Sequence, residues 1–318
     1  MNFTAQDVKA LREKTGVGMM ECKKALTEAD GDMDKAIDYL RERGLAAAQK
    51  KAARIAAEGI VLSYADDAAK KGVVIEVNSE TDFVAKNDKF VQFVTDCAKT
   101  IVATGVKTVE ELTAAEYMGT GRTVSETLND LILAIGENMK IRRFEVMEGL
   151  LATYVHAGGS VGVMVGFDAA DESKAATAEF KDMGKNVAMQ IAAMNPPYLD
   201  EASVPADVIA HEKSILASQM KEDPKMASKP EAVLEKIAAG KMGKYYKENC
   251  LVDQEFVRGD LYDGNVKGYV DSVAKALGTE IKINGFIRMT RGEGLEKRQE
   301  NFAEEIAKQI NGDRKSVV

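Results

Sequence analysis

Apolar positions recur with helical spacing from the start of the chain. Thr4 followed by Asp7 resembles a capping box with the shorter acid, Val8 and Leu11 give an apolar stripe, and Gly16 stops the helix. Met19, Cys22, Leu26 and Ala29 repeat the spacing, Asp30-Gly31 makes a turn, and Met33, Ala36, Ile37 and Leu40 repeat it again before Gly44. These positions predict a three-helix module near the lower size limit for independent folding. Ala46 to Ala57, with Lys50, Lys51 and Arg54 among alanines, predicts a helical linker.

Beyond Gly59 the pattern repeats itself, and an internal repeat changes the reading of the whole chain. A shift of 90 residues places Gly59 on Gly149, Tyr64 on Tyr154, Gly72 on Gly162, Phe90 on Phe180 and Ile101 on Ile191 without a gap. Each copy predicts a hairpin, Ile60 to Tyr64 with Val73 to Val77, or Leu150 to Tyr154 with Val161 to Phe167. A helix follows, carrying Phe90, Val94, Cys97 and Ile101 in one copy and Phe180, Val187 and Ile191 in the other. A second shift, of 142, aligns Val124 with Val266, Gly136 with Gly278, Phe144 with Phe286 and Met147 with Met289, which predicts a further helix and a closing strand.

The first copy places 35 positions between Ile101 and Gly136 and the second places 87 between Ile191 and Gly278, so the second carries an insertion of about 52. It lies near Asn195 to Phe256 and predicts a helical hairpin, Pro205 to Lys221 and Lys229 to Lys247, broken at Asp223-Pro224. After Arg291-Gly292-Glu293-Gly294, the row Phe302, Ile306, Ile310 predicts a last amphipathic helix and a frayed end. The expected class is α+β, divided as residues 1–54 (three-helix domain and linker), 55–148 (first copy), 149–195 with 257–290 (second copy), 196–256 (inserted hairpin) and 291–318 (C-terminal helical module).

A chain of 318 residues with 45% hydrophobic and 30% charged positions is ordinary for a folded protein and long enough for several cores. Its formal charge of -8 argues against tight non-specific binding to nucleic acid. Runs such as Val73-Val74-Ile75 are far short of a membrane helix, and three scattered cysteines, Cys22, Cys97 and Cys250, make neither a CxxC motif nor an even disulfide framework. The expectation is a cytoplasmic protein.

No phosphate-binding glycine signature occurs, and Gly240-Lys241-Met242-Gly243-Lys244 lacks both the spacing and a preceding strand. Only His156 and His211 offer imidazoles, in separate elements, which leaves little for His-based metal or acid–base chemistry. The informative place is where the copies disagree. After Ile75-Glu76-Val77 the first runs into Asn78 to Asn87, including Thr81-Asp82-Phe83-Val84, whereas the second has a polar turn, Asp168 to Lys174, with no aromatic. Phe83 and Val84 can tuck under their own helix as a staple, capped by Asp82 or Thr81, or Phe83 can project as an anchor. Met19 and Met20 pose the same choice between core and binding surface, and His156 reads most simply as a hairpin-turn residue.

Leu11-Arg12-Glu13-Lys14-Thr15-Gly16-Val17-Gly18-Met19-Met20-Glu21-Cys22-Lys23-Lys24-Ala25-Leu26, the Thr81-to-Ala85 loop and Ile135-Gly136-Glu137-Asn138-Met139-Lys140-Ile141-Arg142-Arg143 together resemble the bacterial translation elongation factor Ts family, and the resemblance covers nearly the whole chain. It implies a UBA-like three-helix N-terminal domain, duplicated α/β core subdomains, a helical hairpin used for homodimerisation and a C-terminal helix. It implies guanine nucleotide exchange on elongation factor Tu, with no cofactor, no metal and no covalent chemistry. Asp82 and Phe83 match the pair that disturbs the GTPase's magnesium site, with Thr81 and Val84 flanking them. Arg12, Met19 and Met20 match positions gripping a helix of the same domain, and His156 matches a residue of the subdomain that touches the third domain. The insertion departs from the family pattern, and Gln254 to Asp263 has no counterpart in it. A non-catalytic adaptor on the same scaffold is the alternative of a different class; a metal or thiol enzyme is a distant third.

Overall fold

The computed structural model describes residues 2–222 and 229–296. Three helices, α1 (Ala5–Thr15), α2 (Met19–Glu28) and α3 (Met33–Lys51), precede a hairpin of β1 (Glu58–Asp66) and β2 (Lys71–Ser79). The short α4 (Asp82–Ala85), α5 (Asp88–Thr104), α6 (Val109–Ala114), α7 (Val124–Ile135) and β3 (Met139–Glu148) complete the first copy. The second has β4 (Leu150–His156), β5 (Val161–Ala169), a 3-10 turn (Glu172–Ala176), α8 (Ala178–Met194), α9 (Ala206–Glu222), α10 (Glu231–Asn249), α11 (Val266–Leu277) and β6 (Ile281–Thr290). The fold is α+β, with two antiparallel three-stranded sheets ordered β1-β2-β3 and β4-β5-β6.

Local chemistry accounts for the N-terminal module. Thr4 and Asp7 form the reciprocal capping box, and α1 ends at Gly16. Val8, Leu11, Val17, Cys22, Ala25, Leu26, Ala36 and Leu40 form its core, and Leu133 and Ala134 of α7 pack against it, so this small bundle leans on the first copy. Two expectations are corrected. Met19 is 52% exposed and not part of the stripe, because the N-cap at Gly18 turns the first residues of α2 outward and the buried row starts at Cys22. Gly44 does not end α3: the helix runs to Lys51, and Gly44 sits inside it where its bare Cα meets the Asn129 carbonyl, so a Cβ would lie 3.2 Å from that oxygen.

The duplication is visible in detail. Both sheets shift register at equivalent places, between Glu76 and Val77 and between Gly166 and Phe167. Helices α7 and α11 both end in a left-handed glycine, Gly136 (φ 90°) and Gly278 (φ 69°), which lets the chain reverse into the closing strand without a Cβ clash. Strand residues Val73, Ile75 and Val77 pack under α5 and α7, and Val163, Val165 and Phe167 pack under α8 and α11. Between Met194 and α11 the second copy carries α9 and α10, which pack on each other. Its Asp223-Pro224 corner and the helical row at Phe302, Ile306 and Ile310 lie outside the described residues. Gln254 to Asp263 is part of the second core: Phe256 stacks on Tyr269 at 4.1 Å, and buried Gln254 accepts from Gln190 at 3.2 Å.

The opposite faces of the two sheets meet through a separate small core of Val61, Val74, Met164, Ile287 and Met289. The central strands approach closely because equivalent positions lack side chains. A Cβ on Gly162 would stand 2.5 Å from Val61 Cγ1, and one on Gly72 would stand 2.5 Å from Met164 Cε. On this same face lies Glu76, a carboxylate with no solvent exposure. It accepts from Arg142 Nη1 (3.0 and 3.1 Å), Arg143 Nε (2.8 Å), Asn78 Nδ2 (3.1 Å) and the Gly292 N–H (2.7 Å). Burial pushes its pKa up, but the Gly292 amide, Asn78, Arg143 and Arg142 outweigh that and hold it below the usual carboxylate range.

Two outcomes are expected. Gly162→Ala should lower unfolding free energy by about 1–3 kcal/mol, since the stiff Val61 side chain cannot retreat, while Gly72→Ala should cost less because a Met terminus moves; equal denaturant midpoints for the two variants would contradict this. Because Glu76 is depressed in the fold, its contribution is present above the ordinary carboxylate range near pH 4 and is lost as pH falls through its lower folded value. Denaturation of wild type and Glu76→Gln at a series of pH values should show a stability gap at pH 7 that closes in acid, and a gap independent of pH would exclude the ionised clamp.

Candidate functional site

The loop between β2 and α5 holds the sequence's most unusual side chain, and the structure settles how it points. Phe83 is 80% exposed, whereas its neighbour Val84 is 4% exposed and joins the first core beneath α5. The staple arrangement is therefore half realised: Val84 tucks in and Phe83 projects. Thr81 occupies the N-cap of α4 but makes no side-chain cap; its N–H and hydroxyl donate instead to the Glu137 carboxylate at 3.0 and 2.7 Å. Ser79 donates to the Thr81 carbonyl at 2.9 Å, and the Asn138 N–H donates to Glu80. Asn138 Nδ2 also donates to the Arg54 carbonyl at 2.8 Å, while Arg54 approaches Glu80 at 3.4 Å. Asp82 is exposed and pairs with Lys86 at 3.0 Å, one helical turn on.

An exposed aromatic on a mobile loop would lose much of its binding energy to ordering, since immobilising a side chain costs about 0.5–1.5 kcal/mol. Here the backbone on either side is already fixed, by Glu137 before Phe83 and by buried Val84 and Ala85 after it. The corresponding turn of the second copy is braced by the Asp171 N–H donating to Thr279 Oγ1 at 3.0 Å, and presents no aromatic.

Arg12, Met19 and Met20 are all exposed, Met20 at 75%. The turn leading into Met19 lies beside Lys89 of α5, whose ammonium would meet a Cβ on Gly16. The turn between α1 and α2 thus lies at the start of α5. His156 is elsewhere: it ends β4, is exposed, and its Nδ1 lies 3.0 Å from the Tyr154 hydroxyl. The reading of a hairpin residue is correct, since its carbonyl accepts from the Gly159 and Ser160 N–H groups of the turn.

Sequence reasoning gave no role to Glu137, Asn138, Glu80 or Lys86, although all four stand inside segments it singled out. The missing signal was pairwise: a carboxylate and an amide just after a helix-ending glycine are capping groups in search of a neighbouring loop. The thiols of Cys22, Cys97 and Cys250 are free and buried, and burial raises each pKa, that of Cys250 to about 11, so they remain protonated at neutral pH. Among the described residues no cluster of His, Cys, Asp and Glu has the arrangement of a metal site, and no helix is long and apolar enough to cross a membrane.

The family model described as Elongation factor TS matches residues 80–293, which run from the braced loop to the clamp at Gly292 and Glu293. Elongation factor Ts of Clostridium kluyveri is 49% identical over 98% of this chain and 99% of its own. Proteins of the same name from Magnetococcus marinus and Clostridium perfringens are 45% and 48% identical, over 98% and 96% of this chain and 100% and 98% of their own. On an exposed, braced Phe83, a full-length match and two copies in the expected order, the chain belongs to the elongation factor Ts family of translation elongation factors.

Proposed function

We propose that this chain is a guanine nucleotide exchange factor that binds elongation factor Tu carrying GDP and speeds release of the nucleotide, acting in the cytoplasm without forming or breaking covalent bonds. The observation that carries the reading is the projection of Phe83 beside buried Val84 on a loop held by Glu137. In this reading Asp82 and Phe83 enter near the magnesium and phosphate site of the GTPase domain, with Thr81 and Val84 holding their backbone. Arg12, Met19 and Met20 form a second patch, and His156 on the second copy forms a third. In this reading the modules are a UBA-like bundle with linker in 1–54, core subdomains in 55–148 and in 149–195 with 257–290, an inserted hairpin in 196–256, and a C-terminal segment in 291–318. The hairpin, which exposes Ile215 and Val233, is the surface assigned to a second copy.

Exchange is a linkage effect: whatever factor the protein takes from GDP affinity, GDP takes from the protein's own affinity. A ten-thousandfold faster release requires lowering the barrier by about 5.5 kcal/mol. Burying one Phe is worth about 1.5–3 kcal/mol, so Phe83 needs the other patches to hold the GTPase in its distorted state. Displacing a magnesium ion removes the largest local charge compensating the phosphates, and Asp82 has no need to ligate the metal to contribute.

Stopped-flow release of fluorescent GDP from purified elongation factor Tu tests the reading. Phe83→Ala should slow accelerated release by about tenfold or more, the kinetic equivalent of one lost aromatic contact, with the fold intact; full activity in a folded variant would remove the wedge, and no acceleration by wild type would remove the function. Glu137→Gln should give a smaller loss and faster amide hydrogen exchange at Thr81, because a neutral amide accepts more weakly than a carboxylate. The double variant Met19→Ala/Met20→Ala should weaken binding more than it slows release from the bound complex; unchanged affinity would dismiss the second patch.

A further inference from the structure

Glu76 has a place in none of the contact patches, yet it is the one charged side chain among the described residues that is fully buried. Its surroundings join three parts of the molecule. Arg142 and Arg143 come from β3, and Gly292 comes from the segment after β6. The same arginines continue outward: Arg142 donates to the Glu293 carbonyl, and Arg143 donates to the Thr290 carbonyl (3.3 Å) and the Glu293 carboxylate (3.2 Å). Arg291 extends the junction to the Gly59 carbonyl (3.2 Å) and Glu58 (2.9 Å).

The segment Glu137 to Arg143 therefore does two things at once. Its first residues brace the loop that presents Phe83, through Thr81 and Glu80. Its last residues clamp the strand that carries this loop to the end of the second copy, through Glu76, Thr290 and Glu293. Glu76 on β2 and Thr81 just beyond its end are the two fixed points on either side of Asn78 and Ser79.

The duplication provides an internal control. The position equivalent to Glu76 is Gly166, and those equivalent to Arg142 and Arg143 are Asn284 and Gly285, yet the second copy has the same strand order and the same register shift. The scaffold folds without a carboxylate at its bulge. A buried ion pair is also a poor way to gain stability, because desolvation consumes much of the attraction. The clamp occurs only in the copy that bears the exposed aromatic.

We infer that Glu76 is a positioning residue for exchange: clamped by Arg142, Arg143 and Gly292, it fixes the loop bearing Phe83 at one angle to the second copy, so that Phe83 and the His156 patch engage the GTPase together. Two patches on one rigid body act on each other through effective concentration, and a loose joint between them forfeits that gain without removing any contact. This rests on the exchange reading, but its structural half can be tested apart from it.

The experiment pairs a distance measurement with a double-mutant cycle. Spin labels at Ala103→Cys on α5 and Glu179→Cys on α8, both exposed, report the separation of the copies by pulsed electron resonance; the native thiols are buried. Wild type should give one narrow distribution, and Glu76→Gln a broad one, with the helical circular dichroism unchanged. In GDP release, His156→Ala should reduce the rate several-fold in wild type and have no further effect in Glu76→Gln, a coupling expected of residues that share no contact only if one positions the other. Arg143→Lys, which keeps the charge and loses the fork, should fall between and serves if Glu76→Gln does not fold. An unbroadened distance distribution, or an equal effect of His156→Ala in both backgrounds, overturns the proposal. If wild type fails to accelerate release, the exchange reading falls while the distance arm still decides whether Glu76 sets the joint.

Discussion

Two antiparallel sheets meet face to face here because each central strand lacks a side chain where the other needs room. Gly72 faces Met164, and Gly162 faces Val61; these glycines are equivalent positions of the two copies, so the seam is built from one feature used twice. With the outer faces covered by α5 and α7 or by α8 and α11, β2 and β5 are buried on both sides and read as nearly continuous apolar runs. The loop at Phe83 follows β2 and the turn after His156 precedes β5, so both hang from the ends of these two strands.

Having one scaffold twice frees one copy to specialise. The first copy gave its α7 face to the N-terminal bundle and its post-β2 loop to an exposed aromatic. The second uses the corresponding loop for an exposed ion pair between Glu172 and Lys70 of the first hairpin, and took up the inserted α9 and α10 before its closing helix. Exposed aromatics favour association, and confining Phe83 to a four-residue helix with Lys86 and Asp82 beside it limits the exposed apolar area.

The arrangement of elements could be read from the chain because duplication writes the same spacing twice, and the insertion showed as the one interval that would not match. The bundle was readable from Thr4, Gly16 and Asp30-Gly31, whose roles are local. Met19 and Gly44 were misread because their environments are set from outside their own helices: Met19 follows an N-cap that turns it to solvent, and Gly44 is held in α3 by the backbone of α7. The direction of Phe83 was undecidable from its neighbours alone, since Val84 satisfies the same core pocket. Glu76 left a faint mark, a lone acid among Val73, Val74, Ile75 and Val77, but its meaning depended on Arg142, Arg143 and Gly292, far along the chain.

The discontinuity of the second copy has a consequence for how the chain is made. Residues 58–148 contain every strand and helix of the first core, so that copy can close as soon as β3 has emerged, whereas β4, β5 and α8 must wait for α11 and β6 beyond the hairpin. During that interval the glycine-lined face of the first sheet is uncovered, and the Glu76 carboxylate has its two arginines but lacks the Gly292 amide. Synthesis thus leaves an apolar face uncovered, and the buried carboxylate one hydrogen bond short, until β6 and Gly292 just beyond it have emerged.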